Sequence, residues 1–495
     1  MMELGRNILD FFEQKSIFVT GATGFLAKIF VEKILRVQPN VKKLYLLIRV
    51  VDAKSALQRF NTEVVSKDLF AVLKEKYDTN FQNFLSEKVT VIAGDITYEN
   101  LGVHDSSLNE QMWRDVDVVV NVAASVKFDE RYDVALALNT YGAINVLNFA
   151  KKCVNIKLIL HVSTAYVSGE KPGLIRETPY HLGDTLNETQ SLDIEQEKRM
   201  IIDKLKMLNY DPNINEKVIT TAMKEMGMRR AKHYGWPNTY VFTKAMGEMI
   251  LGKLKGDVPL VILRPTIITS TYKEPFPGWI EGIKCMDIFI ANYGKGRLTC
   301  MPADLENVYE AIPGDMVVNA MIACIVNHAN QTCSETIYHV GSSVSNSLKL
   351  TTICKCMNIY FTQHPRTNND GNKIVVSDHK VLKSPASFYR YITFHYLLPL
   401  QVFKFVGFIF CGAFAKTYKN LEQKRNCALR LVELYKPYLF SRTNLYDDTN
   451  TEKLRRTIRE SKNDENVVYF DPKVIDWEDY LIHTHIPGLV KYEFK

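Results

Sequence analysis

The chain has 495 residues, 46% of them hydrophobic and 24% charged, a composition ordinary for a folded protein of two or three domains with a sizeable core. Its net charge of +7 fits an anionic substrate or a membrane surface, and the lack of a basic run interleaved with aromatics argues against a dedicated nucleic-acid binder. The nine cysteines are scattered, and Cys354 and Cys356 stand too close for a structural zinc pair, so they read as free thiols and no metal site is expected.

The first residues carry acids and run quickly into a β-rich stretch, so neither a secretory signal nor a plastid transit peptide is expected. Ser16–Thr20 reads as a strand, Gly21-Ala-Thr-Gly24 as a turn, Phe25–Val37 as a helix and Lys43–Arg49 as a second buried strand. A strand, turn, helix and strand within about 35 residues form the unit that needs a right-handed crossover. Further strands are expected at Val89–Gly94, Val116–Asn121, Leu158–Val162 and Leu260–Arg264. The fold class that follows is α/β, a doubly wound Rossmann-type parallel sheet with a mostly helical C-terminal domain. Residues 1–366 form the expected reductase domain, with a charged helical insertion over 186–230. Polar Thr367–Asn372 marks a boundary, and residues 373–495 form the second domain.

The turn Thr20-Gly-Ala-Thr-Gly-Phe-Leu-Ala27 has small residues at 21, 24 and 27. Gly21 permits a tight turn, Gly24 lets a pyrophosphate approach the backbone, and Ala27 allows close helix–strand packing, with the helix N-terminus facing the phosphates. Thr23, Phe25 and Leu26 belong to the same cofactor-binding turn. At the end of the second strand an acid would bond a ribose 2′-hydroxyl; this chain has Arg49, which favours a 2′-phosphate and hence NADPH, or is a solvated surface residue. Asp95, beside Ile96, can bond adenine. The small side chains of Ala123 and Ala124 let the cofactor backbone pass.

His161-Val-Ser-Thr-Ala-Tyr-Val167 ends the next strand at the sheet's carboxyl edge, where open α/β folds place ligands. Thr164 or Ser163 can hydrogen-bond a substrate carbonyl. Tyr240 and Lys244, four residues apart on one helix face, supply a phenol to protonate a developing alkoxide and an ammonium to lower that phenol's pKa and bond the nicotinamide ribose. Pro265 lines the nicotinamide pocket or simply ends its strand.

Together these motifs resemble the extended short-chain dehydrogenase/reductase superfamily. Phe128-Asp-Glu-Arg-Tyr-Asp133, Pro275–Gly282, Ile312–Asn319, Phe470–Tyr480 and His485-Ile-Pro-Gly488 look like alcohol-forming fatty acyl-CoA reductases, and Gly24-Phe-Leu-Ala-Lys28 points to the plant branch. The resemblance covers nearly the whole chain. It implies NADPH, a long-chain acyl-CoA substrate and two successive hydride transfers, through an aldehyde to a primary alcohol, in wax- or suberin-type lipid synthesis. It puts Thr164, Tyr240 and Lys244 on the family's catalytic positions. The cytosolic face of the endoplasmic reticulum, or the cytosol, is the implied location. One departure is Gly314, where members carry a larger residue; a loosened turn is expected there.

Two alternatives use other readings of the same residues. A sugar-nucleotide epimerase/dehydratase or a hydroxysteroid dehydrogenase would share the Thr-Tyr-Lys chemistry but leaves the large C-terminal region unexplained. A non-catalytic NADP-binding membrane scaffold would be marked by a broken triad. The aromatic stretch Tyr391–Ala415 is interrupted by His395, Pro399, Gln401 and Lys404, so it reads as an interfacial or acyl-pocket element, giving peripheral membrane association, or as a buried helix pair. Oligomeric state is not legible in the chain.

Overall fold

The computed structural model describes residues 8–188, 190–298, 300–329, 331, 334–367, 371–376, 380–401, 415–440, 444–460 and 467–494. Seven strands, β1 (Ser16–Thr20), β2 (Lys43–Ile48), β3 (Val89–Ala93), β4 (Val118–Asn121), β5 (Leu158–Val162), β6 (Leu260–Pro265) and β7 (Glu335–Val340), form one sheet in the order 3-2-1-4-5-6-7. Every pairing is parallel. The strand order reverses between β1 and β4, which opens a crevice beyond their carboxyl ends. Side chains alternate between the two faces as a strand's period of two requires: Ile17, Val19, Leu44 and Leu46 enter one core, Phe18, Tyr45 and Leu47 the other.

The expected doubly wound sheet is present, with two differences. β4 starts at Val118, two residues later than expected, and just before it the Asp117 carboxylate accepts the Ser16 N–H at 2.9 Å. The edge strand β7 is an addition to the expected set; its Glu-Thr-Ile-Tyr-His-Val run follows a long buried helix.

Seven helices matter here: α1 (Phe25–Val37), α2 (Ile194–Tyr210), α3 (Glu216–His233), α4 (Thr239–Leu254), α5 (Met286–Gly294), α6 (Gly314–His328) and α7 (Ala415–Leu439). The charged insertion is α2 and α3. It is tied to the sheet domain through the fully buried Glu197, which accepts from Arg230 Nε at 3.0 Å and from Tyr132 Oη at 2.9 Å.

The stretches that carry the family resemblance brace α1. Trp279 stacks on Phe25 with ring centroids 5.0 Å apart. Lys28 and Lys33 of α1 reach Glu281 and Glu274, each at 2.5 Å. The Asp315 carboxylate accepts the N–H groups of Tyr272, Lys273 and Glu274 at 2.7, 2.8 and 2.9 Å, fixing the loop that supplies those acids. Gly314 does not loosen a turn. It is the first residue of α6 and packs on α1 so closely that a Cβ would lie 2.9 Å from Ile29 Cδ1 and 3.0 Å from Phe25 Cε1.

C-terminal residues return to the same core. Leu454, Ile458, Phe470, Trp477 and Leu489 join the cluster that contains α1 and α6. Asn444–Tyr446 pairs in parallel with Gly173–Ile175, and Tyr480 Oη donates to Ser270 O at 2.8 Å. Part of the Thr367–Asn372 boundary (368–370) lies outside the described residues, as do 402–414, which include Phe405, Phe408 and Phe410. The described start of the aromatic stretch is helical, and Phe394 and Leu398 are exposed. Among the described residues no helix is long and apolar enough to cross a membrane.

Candidate active site

A cavity of about 710 Å³ opens at the carboxyl ends of the strands. Its first wall is the turn after β1. Gly21 has φ +69°, and a Cβ there would sit 2.8 Å from Ala123 N, so only glycine allows the turn to lie against the end of β4. Gly24 caps α1 with no side chain, leaving the first-turn N–H groups to face a ligand. Thr23, Gly24, Phe25 and Leu26 line this end.

Arg49, at the end of β2, is exposed on the cavity wall. Asp95 and Ile96 follow β3, with Asp95 Oδ1 accepting the Thr97 N–H at 2.9 Å, which orients the carboxylate. Ala123 and Ala124 follow β4, and Pro265 ends β6. One cavity therefore gathers every site residue expected from the sequence.

Thr164, Tyr240 and Lys244 line the middle of the cavity. Asn238 caps α4 by accepting the Val241 N–H at 3.1 Å, which starts the helix one residue before Tyr240. Four residues then bring Lys244 to the same face. The Thr164 hydroxyl and the Tyr240 phenol line the same part of the cavity, and Thr164 acts to lower the phenol pKa. Ser163 also lines the cavity, and its Oγ is buried with no partner among the described residues.

The electrostatics differ from the expectation in one respect. Burial pushes the Tyr240 pKa up, against a smaller opposite effect of Thr164. Lys244 does not offset it; its Nζ donates to Val162 O at 2.7 Å and lies 3.1 Å from His161 Nε2. Burial lowers the Lys244 pKa to about 8, with the Glu248 carboxylate opposing that shift. The expected lowering of the phenol pKa is therefore absent from the free protein.

Beyond Tyr240 the cavity becomes aromatic. Phe128 stacks parallel to Tyr240 at 6.2 Å and meets Tyr435 and Tyr438 of α7 at 5.2 and 5.3 Å. Tyr438 packs edge-on against Tyr166 at 5.1 Å, and Asn238 Nδ2 donates to its hydroxyl at 3.1 Å. Met286, Phe289, Leu434 and Leu439 complete an apolar chamber.

Comparison with known proteins decides the family. An NAD-binding family model described as male sterility protein matches residues 19–321, and a second model with the same description matches 395–495. The alcohol-forming fatty acyl-CoA reductase of Simmondsia chinensis is 53% identical over 493 residues, covering 99% of each chain. Fatty acyl-CoA reductase 1 of Arabidopsis thaliana is 48% identical over 491 residues, again 99% of each. The chain belongs to the fatty acyl-CoA reductase family. Among solved structures, the terminal R domain of the myxalamid biosynthetic pathway is similar with a TM-score of 0.57 and 16% identity, covering 97% of this chain and 91% of that one, a likeness of fold alone.

As a fatty acyl-CoA reductase with an NAD-binding domain, the protein takes a nicotinamide dinucleotide, and the cavity fits one. The glycine turn makes room at the phosphate end, and the guanidinium after β2 and the carboxylate after the neighbouring β3 line the same wall. Several cavity residues were not anticipated. Arg59, ten residues after Arg49, donates to Arg49 O at 2.9 Å and pairs with Glu63 at 2.7 Å. Its signal was a second arginine on the helix that follows β2. His161 and Asn121 are not part of the cavity lining; they are buried at the ends of β5 and β4, where the sequence gives them no assignment. Tyr435 and Tyr438, an i,i+3 pair, were hidden by their distance along the chain from the glycine turn.

Proposed function

We propose that the protein reduces long-chain fatty acyl-CoA to primary alcohol with NADPH, through an aldehyde. The observation that carries this reading is the continuity of the cavity, from the glycine turn past Tyr240 into an apolar aromatic chamber closed by α7. A polar cofactor and an acyl chain need such a space, with the reacting carbonyl at their junction.

The cofactor, when bound, supplies hydride. The chain's own residues do the rest. Thr164, or the free Ser163 hydroxyl, holds the carbonyl oxygen, and Tyr240 Oη delivers a proton to it as negative charge develops. The high pKa of the buried Tyr240 keeps the phenol protonated and ready to donate at neutral pH. Lys244 bonds the nicotinamide ribose. The residue assignments for the cofactor remain as read from the sequence: Gly21, Thr23, Gly24, Phe25 and Leu26 at the phosphates, Asp95 and Ile96 at adenine, and Ala123, Ala124, Lys244 and Pro265 along the dinucleotide. Residues 1–366 supply the cofactor half and 373–495 the acyl-covering half, α7 included. Wax- or suberin-type lipid synthesis on the cytosolic face of the endoplasmic reticulum is the setting we assign.

Arg49 and Arg59 give the preference for NADPH. Arg49→Asp is expected to weaken NADPH by about 10–100-fold, the loss of one charge-assisted contact and the addition of repulsion, and to affect NADH less. Equal losses in fluorescence titrations of the two cofactors would show Arg49 to be structural. Peripheral membrane attachment is tested by liposome flotation. The intact protein should float, and exchange of Phe405, Phe408 and Phe410 for Ser should reduce floating while circular dichroism stays unchanged. Recovery of the intact protein wholly in the unbound fraction would remove the membrane role.

A further inference from the structure

A polar chain crosses the sheet beneath the candidate site. Thr20, Asn121 and His161 end or nearly end β1, β4 and β5 and stand in register as a single rung, Thr20 opposite Asn121 and Asn121 opposite His161. All three are buried. The Thr20 hydroxyl lies 2.6 Å from Asn121 Oδ1, Asn121 Nδ2 lies 3.0 Å from His161 Nδ1, and His161 Nε2 lies 3.1 Å from Lys244 Nζ.

The direction of this chain is fixed at its origin. Thr20 Oγ1 accepts the N–H groups of Val122 and Ala123, each at 3.2 Å. Backbone N–H groups cannot accept, so both lone pairs of the hydroxyl are used and its own proton must be donated. The partner at 2.6 Å must then be the amide oxygen of Asn121, since an NH₂ group there would be a third donor to a filled oxygen. That orients the amide, and its NH₂ group faces His161 Nδ1. An amide nitrogen only donates, so Nδ1 must be unprotonated. A neutral imidazole then carries its proton on Nε2, pointing at Lys244. An ammonium at that position would meet the N–H with no lone pair to receive it.

We infer that Asn121 and His161 are positioning residues that fix the His161 proton on Nε2, aimed at the Lys244 amine, and so weaken that amine's hold on its own proton in the free enzyme. One amine N–H goes to Val162 O at 2.7 Å, and the other is left for the cavity. The arrangement is supported by the direction of two pKa shifts. Burial lowers His161 well below its ordinary value, with the Lys244 charge acting the same way, and burial lowers Lys244 to about 8. The titratable groups around the amine are His161 from β5 and, on α4 itself, Tyr240 and Glu248. The Glu248 carboxylate is occupied by Arg264 of β6. Lys244 thus holds its proton more weakly until a ligand brings negative charge or an acceptor to it. The importance of Lys244 rests on the reductase reading, but the tautomer itself can be measured with neither cofactor nor substrate present.

The test is long-range ¹H–¹⁵N correlation spectroscopy of the histidine-labelled, ligand-free protein between about pH 6 and 9. His161→Gln identifies the signal by removing it. The expected result is a neutral imidazole with Nε2 protonated across the range. A proton on Nδ1, or an imidazolium near neutrality, would overturn the inference. Asn121→Asp supplies the converse, because a carboxylate only accepts. It should draw the proton to Nδ1, free Nε2 to accept from an ammonium, and raise the limb of the kcat/KM profile that reports Lys244 by about 1 pH unit or more. An unchanged Nε2–H tautomer in folded Asn121→Asp would also overturn it. Loss of catalytic importance at Lys244 with the tautomer intact would instead refute the reductase role assigned to that lysine.

Discussion

Replacing Tyr240 by Phe is expected to lower acyl-CoA reduction by about 10²–10⁴-fold while leaving dinucleotide affinity unchanged. The substitution removes one hydroxyl and keeps the ring that stacks against Phe128 at 6.2 Å. Nothing in the glycine turn or at Arg49 touches that hydroxyl, so the phosphate end of the cavity is left as it was. The Thr164 hydroxyl stays in place, held as the cap that accepts the Tyr166 N–H at 3.4 Å. The parent and variant should therefore differ in kcat, measured by NADPH oxidation with a saturating acyl-CoA, and agree in a cofactor titration. Near-normal turnover would remove Tyr240 as the proton donor. A large loss of cofactor affinity would show that its role is in binding.

Glu248→Ala is expected to destabilise the fold by about 3–5 kcal/mol. Glu248 and Arg264 are 1% and 2% exposed, and their ion pair closes at 2.6 Å with further contacts of 3.1 Å from Arg264 Nε to both carboxylate oxygens. Removing the acid leaves a guanidinium buried with weak neighbours, His339 at 3.5 Å and the Tyr180 ring with its centroid at 5.2 Å. The pair also joins the helix that carries Tyr240 and Lys244 to β6, so its loss loosens the site as well as the core. Denaturant unfolding followed by circular dichroism checks the magnitude. A change below about 1 kcal/mol, the range of surface ion pairs, would show that water reaches the pair.

Much of the sheet was legible because its strands are short, β-rich and buried on both faces. Ser16–Thr20 and Lys43–Ile48 carry little that is polar, and the Gly-x-x-Gly turn between them admits few other readings. The gathering of Thr164, Tyr240 and Lys244 along one cavity followed from chain order, since successive strand ends meet at one edge of a parallel sheet. What was not legible depends on contacts between distant segments. The spacing suggests Lys244 as the modifier of Tyr240, but a buried lysine goes to whatever polar partners surround it, here Val162 O and the His161 ring. Gly314 was read as a turn residue. Its role is to let α6 approach Phe25 and Ile29, a contact that no local pattern announces. The aromatic chamber was invisible for the same reason, because Tyr435 and Tyr438 reach Phe128 across three hundred residues of chain.

These features converge on one reaction, and its stoichiometry tests it most directly. Purified protein given stearoyl-CoA and NADPH should consume two equivalents of NADPH for each coenzyme A thiol released, with octadecanol as the product by gas chromatography. No thiol release, or one NADPH per thiol with aldehyde as the end product, would contradict the account.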